Sequence, residues 1–314
     1  MEQVVVLARS FARASREPWE TLERAGLIVE KKHNPEPENE EVVANLIGNA
    51  SAVLVGVDRV GETVFSRCPN LKVVSKHGVG VDNIDLEAAK RHGVVVTNTP
   101  GANSESVADM TFALILAFFR HLPLLIKRVK NKEWSSPVLG EELSEKTIGI
   151  VGMGRIGKGV AKRALGFGMK VIFYDPLVED GGEGCCKVSL EELFARADVV
   201  SLHAPLTAET RGMINSGLLS RMKESAVFVN TARGELVDEE ALYNLLKEGK
   251  IKGAALDVLS TEPPFASPLF GLPNVIVTPH VAAHTKEANI KMGKIAALNI
   301  VKVLAGEEPL FRVV

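Results

Sequence analysis

The chain has 314 residues, of which 46% are hydrophobic and 24% are charged, and its formal net charge is −2 at pH 7. This composition is typical of globular proteins, and a chain of this length favours two domains. A net charge near zero excludes the broad positive field that binds nucleic acid or an anionic membrane, so neither partner is expected. The three cysteines, two of them adjacent, fit neither a disulfide framework nor a zinc site, so we expect a reducing cytoplasm and no metal.

The first hundred residues alternate short apolar runs with helical patterns. This alternation is typical of a parallel sheet flanked by helices, so one doubly wound domain is expected here. The predicted strands are 4–7, 52–57, 71–75 and 94–97, and the predicted helices are 18–25, 38–47 and 86–91.

The segment after Ser104 predicts a long apolar helix through Arg120 and then an amphipathic helix toward Trp134. Its most apolar stretch, 110–126, is interrupted by charged residues and a proline and is too short to span a bilayer, so a buried helix is expected. A second series of strands and helices starts at Lys146. Its predicted strands are 147–151, 170–174, 198–202, 226–230, 253–257 and 275–278, and its predicted helices are 156–165, 190–195, 239–248 and 285–305.

A glycine-rich segment, Gly152-Met-Gly154-Arg-Ile-Gly157, directly follows a predicted strand and opens a helix. The first glycine makes a tight turn, the second lets the backbone approach a pyrophosphate, and the third lets the helix pack closely. Asp175 ends the next strand, where a carboxylate accepts the ribose hydroxyls of a dinucleotide. A 2′-phosphate about 4 Å away would be repelled by roughly 4 kcal/mol per unit charge at an effective dielectric of about 20, which favours NAD over NADP. The alternative is that Asp175 only caps the turn at Pro176.

Three later segments each place an ionisable residue after a predicted strand: Arg233, Glu262 and His280. Because the carboxyl ends of parallel strands share one crevice, the three side chains are expected to converge. Arginine offers a planar charged fork for a carboxylate, histidine a proton for a carbonyl oxygen, and glutamate a partner that orients the imidazole. Taken singly, each residue has a structural alternative: a surface ion pair, a turn residue and a buried histidine.

Seven motifs are distributed over nearly the full length of the chain: 75–85, 98–104, 151–157, 203–206, 230–234, 257–264 and 278–280. In these motifs the chain resembles the D-isomer-specific 2-hydroxyacid dehydrogenases. The resemblance implies an α/β protein with two doubly wound parallel sheets. In it, a Rossmann NAD-binding domain (102–283) is inserted in a flavodoxin-like substrate domain (1–101 and 284–314). It also implies an NAD-dependent enzyme that interconverts a small D-2-hydroxy acid and its 2-keto acid, of the 3-phosphoglycerate or the hydroxypyruvate/glyoxylate class.

The same resemblance assigns roles to individual residues. Arg233 corresponds to the substrate-binding arginine, His280 to the acid–base group and Glu262 to its orienting partner. The implied cofactor-binding residues are Gly152, Gly154, Arg155, Ile156, Gly157, Asp175, His203, Ala204, Pro205, Thr231, Ala232 and Asp257. The implied substrate-binding residues are Lys76, His77, Gly78, Val79 and Gly80, together with Arg233. In that loop, the amides of residues 78–80 are expected to hold the substrate carboxylate.

Several assignments stay open at the level of sequence. Lys76 and His77 either attract a second anionic group of the substrate or are solvated. Arg59 lies close to a position where phosphoglycerate-specific relatives often carry an arginine. His284 either lines the pocket or caps the final helix, and the resemblance implies homodimerisation through residues 104–145.

Two other functions fit parts of the sequence. A formate or phosphite dehydrogenase uses the same cofactor fold, although formate enzymes typically place glutamine at the position of Glu262. An NAD-sensing corepressor with a peptide-binding cleft is also related to this family. The chain has no basic localisation run and no predicted disordered tail, which disfavours the corepressor.

Overall fold

The computed structural model describes residues 2–134 and 138–314 of the chain. The chain folds into two compact units. The terminal unit comprises Met1–Asn103 and His284–Val314, and the central unit comprises Ser104–Ala283. The first boundary therefore lies two residues after the one expected from the sequence.

The terminal unit is built on a parallel sheet of five strands. Its strands are β1 (Gln3–Val6), β2 (Ile28–Lys31), β3 (Ala52–Val55), β4 (Val73–Lys76) and β5 (Val95–Thr97). Its helices are α1 (Glu17–Arg24), α2 (Glu40–Ile47), α3 (Glu62–Arg67), α4 (Leu86–Arg91) and the C-terminal α11 (Lys286–Leu304). The strand order is β2-β1-β3-β4-β5, which is the flavodoxin-like order.

Strand β2 and helix α3 of this unit are not among the elements that the sequence predicts. Strand β2 lies at the edge of the sheet, and three of its four residues are exposed, so it lacks the apolar run that identifies a buried strand. Helix α3 has six residues, as has α4, but it begins after Gly61 without a side-chain cap, whereas Asp85 caps α4. The positions of β2 and α3 therefore depend on contacts with neighbouring elements more than on the hydrophobic pattern of their own residues.

The central unit is built on a second parallel sheet, with seven strands. Its strands are β6 (Thr147–Val151), β7 (Lys170–Tyr174), β8 (Cys185–Lys187), β9 (Val199–Leu202), β10 (Val227–Asn230), β11 (Gly253–Leu256) and β12 (Val275–Val277). Its helices are α5 (Ser104–Phe119), α6 (Leu122–Lys130), α7 (Arg155–Gly166), α8 (Leu190–Arg196), α9 (Ser216–Leu219) and α10 (Glu239–Lys247). The strand order across the sheet is β8-β7-β6-β9-β10-β11-β12. Successive strands are added on one side of β6 as far as β8 and on the other side from β9 onward, as in a Rossmann fold. The predicted fold class is thus confirmed for both units.

The predicted helix ends agree with the structure in most places. The spacing of Ser189 and Glu192 predicts a capping box, and the Ser189 hydroxyl does accept a hydrogen bond from the Glu192 amide at 3.1 Å. The Glu192 carboxylate, however, pairs with Arg196 one turn along, so only half of the box forms. His284 does not cap α11, because the Thr285 side chain accepts the hydrogen bond from the Ala288 amide.

The most apolar helix of the chain, α5, buries most of its residues in the central unit, as expected. Within residues 2–134 and 138–314, no single helix is long and apolar enough to cross a bilayer. Only α5 and α6 taken together meet such a length and composition, and they are bent by 64° at the break between them.

Candidate functional site

The glycine loop of the central unit connects β6 to α7, and its three glycines meet different constraints. Gly152 has φ of +95°, and a Cβ atom there would lie 2.8 Å from the backbone of His203 and Ala204. A Cβ atom at Gly157 would lie 2.1 Å from the carbonyl oxygen of Gly152, so the helix can pack on the loop only without a side chain. At Gly154, the residue before α7, nothing lies within 4 Å. The loop therefore leaves open backbone at the start of the helix, where an anion is favoured.

The first turn of α7 adds positive charge to this end of the helix. Arg155 and Lys158 are both exposed there, and Ile156 is half-buried against the core. The helix dipole and the two cations act in the same direction, because both favour negative charge at the amino end. A pyrophosphate group therefore fits the loop both in shape and in charge.

Asp175 has a structural role that the sequence analysis offered only as an alternative. One carboxylate oxygen accepts hydrogen bonds from the amides of Leu177 at 2.8 Å and Val178 at 3.1 Å, which caps the turn after Pro176. The other oxygen accepts a hydrogen bond from the Met153 amide at 2.8 Å. The carboxylate thus ties the end of β7 to the glycine loop, and this arrangement places a negative charge beside the loop.

His203 follows β9 and forms one wall of the glycine loop. Its amide donates to the Val151 carbonyl at 2.7 Å, and its Nε2 atom lies 2.8 Å from the Ser201 hydroxyl. Burial of the ring lowers the pKa of His203 to about 3, so the imidazole is neutral at physiological pH. The backbone of Ala204 also lies against Gly152, and the Pro205 carbonyl accepts a hydrogen bond from the Thr210 hydroxyl at 2.7 Å.

The turn that carries Arg233 is held by Asn230, a residue that the sequence analysis did not select. The Asn230 side chain accepts from the Ala232 amide and donates to the Arg233 carbonyl, both at 2.9 Å. Its position at a strand end, where asparagine commonly bonds to nearby backbone, was the available signal. Thr231 is buried, and its hydroxyl lies 3.0 Å from that of Thr111 on α5. The turn is therefore fixed on both sides of the half-buried arginine.

His280 and Glu262 form a pair in the central unit. The His280 Nδ1 atom lies 2.7 Å from a Glu262 carboxylate oxygen, and the two side chains are 44% and 39% exposed. Because the carboxylate accepts the Nδ1 proton, the other ring nitrogen is left to exchange a proton with a ligand. The arrangement is suited to acid–base chemistry on a bound ligand.

Asp257 shapes the turn on which His280 lies. Its carboxylate accepts hydrogen bonds from the Thr278 hydroxyl at 2.6 Å, the Val281 amide at 3.0 Å and the Ala282 amide at 2.8 Å. Its backbone carbonyl accepts from the His280 amide at 2.8 Å. These bonds hold His280 at φ of +52°, a region that costs about 1–3 kcal/mol for a residue with a side chain. Asp257 is 1% exposed, so its burial favours an action through this turn over direct contact with a cofactor.

The predicted substrate loop, residues 78–80, belongs to the terminal unit. The carbonyl of Gly78 accepts from the Thr99 amide at 2.9 Å, and that of Val79 accepts from the Asn98 side chain at 2.8 Å. Among the described residues, none accepts a hydrogen bond from the amides of 78–80. A loop with the carbonyls of Gly78 and Val79 bonded and its amides available is suited to an anion.

His77 is not solvated, because its side chain lies in the interior of the terminal unit. His77 is 7% exposed, its Nδ1 atom lies 3.0 Å from the Ser10 hydroxyl, and its ring packs edge-on against Phe11 at 5.8 Å. Burial lowers the pKa of His77 to about 4, so the ring is uncharged at neutral pH. Lys76 is half-buried and donates to the Gly56 carbonyl at 2.6 Å and to the Asn83 side chain. Both residues are therefore parts of the unit's own framework.

The Asp58-Arg59 pair, which lay close to a possible phosphate position, is also engaged. Asp58 is buried and accepts hydrogen bonds from the Gly56 amide at 3.0 Å and from the Asn34 side chain at 2.8 Å. Arg59 pairs with Glu40 at 3.2 Å. Within the part of the chain that the structure describes, no group of three or more histidine, cysteine or acidic side chains is placed to hold a metal ion.

Comparison with known proteins gives a consistent result. Residues 112–282 match the family model described as the D-isomer specific 2-hydroxyacid dehydrogenase, NAD binding domain. The chain is 41% identical over 283 residues to a glyoxylate reductase of Korarchaeum cryptofilum, covering 87% of this chain and 85% of that one. It is 48% identical over 254 residues to a D-3-phosphoglycerate dehydrogenase of Methanocaldococcus jannaschii, where it covers 79% of this chain but only 48% of the longer relative.

A solved structure shows the same likeness in three dimensions. The D-lactate dehydrogenase of Aquifex aeolicus, complexed with NAD and lactic acid, has a TM-score of 0.84 and 34% sequence identity. The match covers 98% of this chain and 96% of that one.

Proposed function

The chain belongs to the D-isomer-specific 2-hydroxyacid dehydrogenases, a family of NAD-dependent oxidoreductases, and from this premise we propose that it interconverts a short D-2-hydroxy acid and its 2-keto acid. The observation that carries the proposal is the pair formed by His280 and Glu262, half-exposed and 2.7 Å apart. Reduction of a keto acid requires one group that delivers a proton to the carbonyl oxygen, and this pair has the composition and exposure for it.

The cofactor fits the glycine loop of the central unit. The Gly152 and Gly157 contacts leave no room for side chains, the open backbone at Gly154 admits a pyrophosphate, and the carboxylate of Asp175 is suited to ribose hydroxyls. When bound, the nicotinamide supplies or accepts the hydride. The remaining work is done by side chains of the chain itself.

We assign one role to each ionisable group. The guanidinium of Arg233 holds the carboxylate of the substrate and polarises its carbonyl, because a planar cation can serve both oxygens. In the reductive direction, protonated His280 gives its Nε2 proton to the carbonyl oxygen as hydride reaches the carbon. The Glu262 carboxylate accepts the hydrogen bond from the His280 Nδ1–H group in both directions and stabilises the charged imidazole. In the oxidative direction, neutral His280 takes the hydroxyl proton back.

Within this family activity, we propose an unphosphorylated substrate of the hydroxypyruvate or glyoxylate class. A phosphorylated substrate needs a second set of cations. Of the candidates for that role, His77 is neutral and buried, Lys76 donates to the Gly56 carbonyl and the Asn83 side chain, and Arg59 pairs with Glu40. A short unphosphorylated keto acid carries a single carboxylate, and the guanidinium of Arg233 is the cation for it.

The test is the rate of NADH oxidation with hydroxypyruvate, glyoxylate, pyruvate, 2-ketoisocaproate and phosphohydroxypyruvate. We expect the highest kcat/KM with hydroxypyruvate or glyoxylate. A higher value with phosphohydroxypyruvate would contradict the substrate assignment but leave the reaction class intact. No oxidation with any of the five would contradict the reaction class itself.

We also propose that the chain forms a homodimer through helix α6 and the residues around it. No residue of α6 is buried, yet Leu122, Ile126 and Val129 fall on one face of the helix, and each is 43–54% exposed. Trp134 and Leu139 beyond the helix are about nine-tenths exposed, and 135–137 lie outside the described residues. An apolar face of this kind favours association. Sedimentation should give a dimer that Ile126→Glu converts to a monomer; a monomeric unmodified chain would refute the proposal.

A further inference from the structure

The loop that carries Glu262 is buried at its start, at Val258 and Leu259, but its middle is not anchored by burial. We call residues 258–267 the Glu262 loop; it leaves β11 and leads into a short 3-10 turn, Pro268–Gly271. Most of its middle is exposed, and Phe265 at its tip is 86% exposed. Since an exposed loop keeps little order from packing, the position of the Glu262 carboxylate must depend on other contacts.

One side chain outside the loop supplies such contacts at both of its ends. A carboxylate oxygen of Glu239, the first residue of α10, accepts hydrogen bonds from the Ser260 hydroxyl at 2.6 Å and the Ser260 amide at 3.0 Å. The other oxygen accepts from the Ser267 hydroxyl at 2.8 Å. Glu262 lies between the two serines, so a single carboxylate closes the loop that contains it.

The helix itself does not need this carboxylate. Helix α10 is capped by Asp238, whose side chain accepts from the Ala241 amide at 3.0 Å. Glu239 is therefore available for the loop, while the adjacent Glu240 is exposed to solvent. An acidic residue in the first turn is ordinary for a helix, and only the tertiary contacts separate Glu239 from Glu240.

The start of the Glu262 loop, at residues 259–260, packs against the turn that carries Arg233. A Cβ atom at Gly234 would lie 1.9 Å from the Leu259 carbonyl carbon and 2.2 Å from the Ser260 amide nitrogen. The backbone of residues 259–260 thus occupies the space that a side chain at position 234 would need. Arg233 and the start of the Glu262 loop are consequently held at a fixed separation.

We propose that Glu239 is a positioning residue that holds the Glu262 loop closed, so that the Glu262 carboxylate stays in register with His280. This inference rests on the proposed function and deepens it, because Glu239 acts on the reaction only through Glu262. Charged hydrogen bonds at both ends of the loop fix the carboxylate that orients the imidazole. Removing them leaves the chemical groups present but less well placed.

The test is a double-mutant cycle on kcat with Glu239→Ala, Glu262→Gln and the combined variant. Misplacement of a catalytic group by about 1 Å lowers rates by up to about a hundredfold, so we expect Glu239→Ala to lower kcat roughly ten- to a hundredfold. The KM and the affinity for NADH should change much less, since Arg233 and the glycine loop are untouched. In the Glu262→Gln background, Glu239→Ala should have little further effect on kcat, because residues that act as a unit are not additive.

The chain offers matched controls. Glu240→Ala removes a carboxylate from the same helix turn and should leave kcat unchanged. Glu239→Gln keeps one acceptor oxygen and should restore part of the lost rate. If thermal melting shows that Glu239→Ala is not folded, Ser260→Ala and Ser267→Ala each remove one hydroxyl hydrogen bond and leave that of the Ser260 amide. Each is expected to lower kcat by less than Glu239→Ala and in the same non-additive way.

The outcomes separate this inference from the proposed function. If Glu262→Gln retains full turnover, the acid–base pair is wrong, and the role of Glu239 falls with it. If Glu262→Gln lowers kcat but Glu239→Ala and the serine variants do not, only the positioning role of Glu239 is overturned. The same holds if Glu239→Ala lowers kcat by the same factor in the Glu262→Gln background as in the unmodified chain.

Discussion

Each of the two units places a histidine just after a parallel strand, and the two histidines have opposite environments. His280 in the central unit is 44% exposed and hydrogen-bonded to Glu262. His77 in the terminal unit is 7% exposed, contacts Ser10 and Phe11, and its Nε2 atom has no hydrogen-bond partner among the described residues. The carboxylate partner makes the first histidine a candidate proton carrier, whereas burial makes the second a neutral part of the core. Position at a strand end is therefore not sufficient to make a histidine functional.

The largest expected effect is on turnover and tests the role of His280 in the comparison of the two histidines. His280→Ala should lower turnover by roughly 10²–10⁴-fold, because the reaction then lacks its general acid. NADH binding, measured by fluorescence titration, should be largely retained, since the glycine loop does not involve this residue. Unchanged turnover would remove His280 from the mechanism.

The second prediction concerns acid stability and His77. In the unfolded chain the imidazole regains its ordinary pKa, near 6.5, while burial holds the folded pKa at about 4. The unfolded state therefore binds the proton first, and stability present above pH 6.5 is lost as the pH falls toward 4, by on the order of 3 kcal/mol. His77→Phe should remove this contribution to the acid sensitivity.

The measurement can be confined to the terminal unit. The chain has two tryptophans, and in a Trp134→Phe background the remaining Trp19 lies 6.2 Å from Phe11, which packs on His77. Urea midpoints followed by its fluorescence at pH 7 and pH 4.5 give the difference. His33→Phe, at an exposed position of the same unit, should keep the acid sensitivity of the unmodified chain. Equal acid sensitivity in His77→Phe would contradict the prediction.

The smallest of the three expected effects is on cofactor affinity, and it concerns a difference between the glycine-containing loops of the two units. The loop at 78–80 is held through its carbonyls by Asn98 and Thr99, whereas the glycine loop of the central unit is tied to the carboxylate of Asp175. Asp175→Ala should weaken NAD binding about ten- to a hundredfold, the range expected for hydrogen bonds to a charged group, and should relax the rejection of NADP.

Asp175→Asn separates the contribution of the side-chain hydrogen bonds to NAD affinity from the contribution of the negative charge to the rejection of NADP. It keeps the shape of the side chain but removes the charge, so rejection of NADP should relax more than NAD binding weakens. Titration of both cofactors against each variant provides the measurement. If Asp175→Ala bound NAD as tightly as the unmodified chain, neither the ribose contact nor the tie to the loop would matter for affinity.

The sequence alone determined the fold class and the order of the site motifs. Strands buried on both faces are continuous apolar runs, and glycines at fixed spacing after a strand have a local conformational cause, so both signals are contained in neighbouring residues. The pairing of Glu262 with His280 was expected for the same reason, since parallel strands bring their carboxyl ends to one edge.

The tertiary structure alone decided which polar residues are exposed and what they bond to. Nothing near His77 in the sequence indicates that Ser10 and Phe11 enclose it, and nothing near Glu239 indicates that its carboxylate closes a loop twenty residues further on. The edge strand β2 is missing from the sequence analysis for a related reason, because its pairing depends on β1. Burial and long-range hydrogen bonds are properties of the packed chain, and they set the charge and mobility of a group independently of its residue type.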